Sequence, residues 1–223
     1  MPLSLKHVIR RSNQEDRATG RRPPSLVLLH GIGSNEMDLF SLAPLMDPRF
    51  TLISVRGPLT RTPGSYAWFS VEFVPGGFVI NPGQAEQSRQ QLLRFTGELV
   101  EEYQLDPKQI YLMGFSQGCI MSLYTALSEP ERFAGVVGMS GRLLPEAIPK
   151  LASPERLKGF PLLIVHGTED TTIPISYGRD IRDRLAALPV DLDYREYPIG
   201  HWVSNETIAD ARAWLTARLD AQA

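Results

Sequence analysis

The chain of 223 residues carries a single cysteine, Cys119. That scarcity excludes an internal disulfide framework and suits a reducing compartment, so a cytoplasmic location is expected. Lys and Arg number 23 against 25 Asp and Glu. A net charge of −2 leaves no basic surplus to neutralise a nucleic-acid backbone, and no nucleic-acid partner is expected. The dense basic spots, Arg10-Arg11 and Arg21-Arg22, lead into no basic tract and read as solvated loop. No apolar stretch follows Arg10-Arg11, as an export signal would need. No window reaches the roughly 18 apolar residues of a membrane span, so no integral membrane segment is expected. Four histidines lie on separate segments without H-E-x-x-H or Cys/His spacing, so no metal is expected. G-x-G-x-x-G and a P-loop lysine are also missing, which argues against a phosphate cradle.

What is present is an alternation of short apolar runs and helix-spaced segments. Strands are expected over residues 3–9, 25–30, 50–55, 110–113, 133–140, 162–166 and 192–197, the first and last at sheet edges. Helices are expected over 85–103, 120–127, 177–188 and 205–219. A further one carries Leu39, Phe40, Leu42 and Leu45 behind a Ser34 or Asn35 cap. Ser204 is the expected cap of the last helix, with Val203 and Ile208 as a hydrophobic staple. This order predicts an α/β fold, one doubly wound, mostly parallel sheet with helices on both faces. A single domain over 1–223 is expected, with an edge strand and polar loop in 1–24. Residues 56–84 lack any period, hold Pro58, Pro63, Gly64, Pro75 and Pro82, and are expected to form an irregular loop near the active site. In such sheets ligands bind beyond the carboxyl ends of the strands, which directs attention to His30, Gly114 and His166.

Gly114-Phe115-Ser116-Gln117-Gly118 lies between an apolar run and a helical stretch. G-x-S-x-G in that setting is a nucleophile elbow, a turn so tight that the serine hydroxyl projects above the sheet. A serine hydroxyl is a weak nucleophile at neutral pH and needs a base, itself oriented by a carboxylate. Of the four histidines, His7 sits in a polar strand, and His30 and His166 end apolar strands, where a ring usually holds a loop. His201, in the glycine-bearing loop Pro198-Ile199-Gly200-His201-Trp202, is the expected base. Asp170 is the expected acid, with Glu169 its direct competitor. Asp180, Asp183 and Asp193 fall on solvated faces. The chain order Ser116, Asp170, His201 is that of the α/β-hydrolases. Two backbone N–H groups must face the developing oxyanion. Gln117 supplies one, and the loop His30-Gly31-Ile32-Gly33 supplies the other through Ile32. Trp68, Phe69 and Trp202 are candidates for lining an apolar acyl pocket. Cys119, three residues past the strained serine, reads as a buried packing residue.

The chain resembles the phospholipase/carboxylesterase family of α/β-hydrolases, which includes the acyl-protein thioesterases. The segments that carry the resemblance are residues 28–39 (LLHGIGSNEMDL), the elbow, residues 166–170 (HGTED) with Ile173-Pro174, and Gly200-His201. Residues 140–145 (SGRLLP) and Trp68-Phe69 also look like family segments. The resemblance implies the triad Ser116/Asp170/His201, oxyanion donors at Ile32 and Gln117, no cofactor, and frequent homodimers. Gly118-Cys119 stands where members often have Gly-Gly, and residues 56–84 look more like bacterial esterase-type members than eukaryotic thioesterases. The expected activity is hydrolysis of small-molecule carboxylic esters with short to medium acyl chains through an acyl-enzyme. Acyl thioesters or lysophospholipids on the same triad are the alternative. A non-catalytic, ligand-binding relative would be marked by a broken triad.

Overall fold

Unbroken apolar runs such as Ser25–Leu29 and Gly135–Met139 are buried at every position, which requires a sheet covered on both faces. The computed structural model describes residues 3–14, 20, 22–74 and 77–221. The first half contains β1 (His7–Arg10), β2 (Ser25–Leu29), the single-turn α1 (Met37–Phe40) and β3 (Thr51–Val55). Two hairpins follow, β4 (Leu59–Thr62) with β5 (Ser65–Ala67), and β6 (Val71–Val74) with β7 (Gly77–Ile80). The second half runs α2 (Pro82–Tyr103), β8 (Ile110–Phe115), α3 (Gln117–Ser128), β9 (Gly135–Met139) and α4 (Pro154–Leu157). It continues through β10 (Pro161–Gly167), α5 (Ile175–Ala186), β11 (Asp191–Tyr197) and α6 (Asn205–Asp220).

Seven strands form one sheet in the order β1-β3-β2-β8-β9-β10-β11. Every pairing in it is parallel except β1 with β3 at one edge. This is the α/β-hydrolase fold. Successive side chains of each strand serve opposite faces. Val27, Leu29, Leu112, Val136 and Leu162 pack with Leu92 and Phe95 of α2, Leu123 of α3 and Ile181 of α5. Leu26, Leu28, Tyr111, Met113 and Val137 pack with Leu39 of α1 and with Ile208, Trp214 and Leu215 of α6. The elbow strand β8 is therefore central and gripped from both sides.

Four expectations are corrected. The helix after Asn35 shrinks to one turn with Glu36 at its N-cap, because Pro44 cannot supply the N–H that would continue it. Asn35 Oδ1 instead accepts the Met37 N–H at 2.9 Å. The stretch 56–84 holds two hairpins and the first residues of α2, and Gly64 (φ +81°) turns the first hairpin directly after Pro63. α2 starts at Pro82, earlier than expected, because Asn81 caps it by accepting the Gln84 N–H at 3.1 Å and Pro82 suits the first turn. Arg10 is not solvated: its Nη2 donates to the Asp47 and Phe50 carbonyls at 3.0 and 3.2 Å. Arg11 lies over the Tyr103 ring, and the expected loop at 15–19 and 21 falls outside the described residues. Ser204 caps α6 in a reciprocal capping box with Thr207, and Val203 and Ile208 join the same apolar cluster.

Candidate active site

Ser116 connects β8 to α3 at φ 54° and ψ −117°, a region that non-glycine residues avoid. Holding it there costs on the order of 1–3 kcal/mol, supplied by the packing of strand and helix. A Cβ on Gly114 would lie 2.2 Å from the Gly118 carbonyl oxygen, and one on Gly118 would lie 1.8 Å from the Leu29 carbonyl oxygen. Only hydrogen at both positions lets α3 cross so close to β8 and β2.

Ser116, Asp170 and His201 converge. Ser116 Oγ is 3.0 Å from His201 Nε2, and His201 Nδ1 is 2.7 Å from Asp170 Oδ2. The buried Asp170 follows β10, and its Oδ1 accepts the N–H groups of Thr172 and Ile173 at 2.9 and 2.8 Å. Both carboxylate oxygens are thus engaged, which aims Oδ2 at the imidazole. Glu169, the competing acid, is exposed. His201 sits between β11 and α6, with its ring against Phe115 at 4.8 Å between centroids. The Asp and His loops are tied together by Thr168 N–H to Tyr197 O (2.7 Å) and Glu169 N–H to Ile199 O (3.0 Å).

The other two strand-end histidines are buried struts. His30 Nε2 accepts the Gly57 N–H at 2.9 Å, so its Nδ1 carries the proton and donates to Gly31 O at 2.7 Å. His166 Nε2 donates to Ile173 O at 2.8 Å, steadying the turn that feeds Asp170. Burial holds both imidazoles below their ordinary 6.5. Cys119 is buried, and burial pushes its thiol up to about 12, which makes it inert.

The loop after β2 is held by the first hairpin. Gly33 N–H donates to Tyr66 O and Tyr66 N–H to Ser34 O, both at 2.8 Å. Ser34 N–H turns back to Gly31 O at 3.3 Å. Among the described residues the Ile32 N–H has no backbone acceptor. Behind this loop the buried Glu36 takes Nε and Nη2 of Arg56, the Nε contact at 2.6 Å, and Arg56 Nη1 donates to Tyr66 Oη at 2.8 Å. Beside Ser116 opens an apolar cavity, about 400 Å³ with its open mouth included, lined by Ile32, Phe69, Val71, Gln117, Ile120 and Ile173.

A family model described as Phospholipase/Carboxylesterase matches residues 16–219. The chain belongs to the phospholipase/carboxylesterase family. The fold is similar to that of esterase PE8, whose crystal structure superposes at a TM-score of 0.80 and 26% identity, covering 97% of this chain and 99% of that one. The carboxylesterase SOBER1 of Arabidopsis thaliana is 25% identical over 207 residues, 87% of this chain and 90% of its own length. An acyl-protein thioesterase 1 of Gibberella zeae is 31% identical over 116 residues. That match spans 51% of this chain and about half, 49%, of the thioesterase.

Within the family fold, the three aromatic candidates part company. Phe69 lines the cavity. Trp68 does not: it is fully buried, with Nε1 donating to His30 O at 3.0 Å, and serves as a core strut. Trp202 stands more than half exposed beside His201, outside the cavity lining, its ring over Gly200. Sequence reasoning missed the side chain of Gln117, whose Oε1 accepts Trp68 N–H and whose Nε2 donates to Phe69 O, each at 2.8 Å. It missed Val71, Ile120 and Ile173 as cavity walls. Ile120 was detectable, since it lies one helical turn past Ser116 and shares its face.

Proposed function

We propose that this protein is a serine carboxylesterase that cleaves carboxylic esters of short to medium acyl chain through an acyl-enzyme. The observation that carries the proposal is the unbroken chain from Ser116 Oγ to His201 Nε2 and from His201 Nδ1 to Asp170 Oδ2, at 3.0 and 2.7 Å. Ser116 attacks the ester carbonyl while His201 Nε2 takes the hydroxyl proton. The resulting oxyanion accepts hydrogen bonds from the N–H groups of Ile32 and Gln117, worth about 3 kcal/mol each by analogy with other such sites. His201 then protonates the departing alkoxide as the C–O bond breaks. Water, deprotonated by the same nitrogen, attacks the acyl carbonyl; the bond from Ser116 Oγ to the acyl carbon then breaks, the carboxylic acid leaves, and His201 returns the proton to Ser116. Asp170 holds the Nδ1–H tautomer and balances the imidazolium charge.

The small apolar cavity supports seating the acyl group against Phe69, Ile120 and Ile173. Trp202 stays in the proposal only as a rim residue. Similarity to acyl-protein thioesterases supports a second reading, thioester cleavage by the same residues. Homodimer formation rests on the family resemblance and is read by light scattering. A fluorophosphonate probe followed by peptide mapping tests the nucleophile. Labelling of Ser116, and no turnover by Ser116→Ala, are expected; full turnover by that variant overturns the assignment. Acyl esters and acyl thioesters of matched length, assayed in parallel, separate the two readings.

A further inference from the structure

We propose that the first hairpin builds an anion site beside the ester-cleaving residues, so that the preferred substrates carry a carboxylate or phosphate on the alcohol side. The inference rests on the serine-esterase reading above and names its substrate class. A second cavity, of about 750 Å³ including its open mouth, is lined by Thr60, Arg61, Thr62, Ser65, Ser70 and Val71. It is polar where the first cavity is apolar, and the two share Val71 as a common wall. A substrate that places its acyl chain against Ile120 and Ile173 therefore finds hydroxyls and a guanidinium on the other side of Val71.

Three features aim Arg61 at this cavity. The pairing register of β4 with β5 shifts between Thr60 and Thr62, which takes Arg61 out of the ladder. Such bulges re-aim a side chain and occur beside active sites. Second, Arg61 Nη1 and Ser65 Oγ converge over Gly33, at 3.4 and 3.9 Å from the point a Cβ there would occupy. Third, among the described residues no carboxylate pairs with Arg61, whereas neighbouring acids are committed, Glu36 to Arg56 and Asp38 to Ser34. Gly33 is one residue from Ile32, and the hairpin and this loop exchange hydrogen bonds through Tyr66. An anion held by Arg61 and the Ser65 hydroxyl is thereby anchored to the same loop that faces the ester carbonyl.

The test compares butyrate esters of 3-hydroxypropanoate and of glycerol 3-phosphate with the neutral butyrate ester of 3-hydroxypropanamide. Wild-type enzyme is expected to favour at least one anionic ester in kcat/KM, mainly through KM. In Arg61→Gln the anionic-to-neutral ratio falls about tenfold or more, the loss of one charge-assisted hydrogen bond, and in Arg61→Lys it is partly kept. Succinate and glycerol 3-phosphate compete with 4-nitrophenyl butyrate in the wild type and lose that competition in Arg61→Gln. The arm that loses most identifies carboxylate or phosphate. A ratio that Arg61→Gln leaves unmoved, or a wild type indifferent to charge, overturns the proposal. If Arg61→Gln does not fold, the wild-type ratio and its decline between low and high salt decide. Turnover of 4-nitrophenyl butyrate by Ser116→Ala would instead overturn the esterase reading.

Discussion

The Gly118 α-carbon faces the Leu29 carbonyl so closely that a Cβ would sit 1.8 Å from its oxygen. Leu29 lies in β2 inside the sheet and Gly118 in the buried first turn of α3, so neither backbone can yield. Gly118→Ala is therefore expected to destabilise by more than about 4 kcal/mol or to prevent folding. Gly64→Ala, where only the positive φ is strained, costs about 1–2 kcal/mol. Thermal and denaturant unfolding of the two variants checks the contrast; equal effects would refute it.

Asp170→Asn tests the orienting role of the carboxylate. An amide presents a donor to Thr172, Ile173 or His201, each of which already donates, so the imidazole loses the tautomer that accepts from Ser116. A drop in kcat of roughly 10⁴-fold with a folded protein is expected. Circular dichroism alongside kinetics separates this from unfolding.

Arg56→Ala strands the buried Glu36 carboxylate behind the loop of Gly31 to Ser34. Leaving one member of such a pair costs about 3–5 kcal/mol. Because Arg56 also donates to Tyr66 Oη on the hairpin, activity is expected to fall through kcat as well. The double replacement Glu36→Gln with Arg56→Ala recovers part of the stability, which a double-mutant cycle measures.

Acid should destabilise the fold in two stages. His30 and His166 have folded pKa values lowered below 6.5 by burial, so the unfolded chain binds protons that the folded chain refuses. Their contribution is complete above 6.5 and is lost as the pH falls below it. Asp47, hydrogen-bonded by Arg49, is held at about 2 against an ordinary 3.8. Its contribution is complete above 3.8 and disappears as the pH falls toward about 2. Melting temperature is expected to decline as the pH falls below about 6.5 and to fall further below about pH 4. A flat profile from pH 7 to 5 would contradict the first stage.

The parallel sheet was legible because strands buried on both faces must be continuous apolar runs, as 25–29 and 135–139 are. The elbow was legible because Gly114 and Gly118 are demanded by backbone contact, not by preference. Long-range consequences were not legible. Trp68 looked like a pocket wall because its indole is apolar, yet its N–H is satisfied by His30 O, a contact between residues 38 apart. The first hairpin was hidden because its strand β4 carries the polar residues Thr60, Arg61 and Thr62, and the second because β6 and β7 are only four residues each. Arg10 looked solvated because sequence does not show the carbonyls of 43–50 that converge on its guanidinium.

The acid and base loops hang from β10 and the outermost strand β11, whereas Ser116 sits on the central strand β8. Margins of a sheet open at lower free energy than its middle. Warming should therefore uncouple the imidazole from the hydroxyl while the hydrophobic clusters still hold, giving a reversible loss of turnover several degrees below the melting transition.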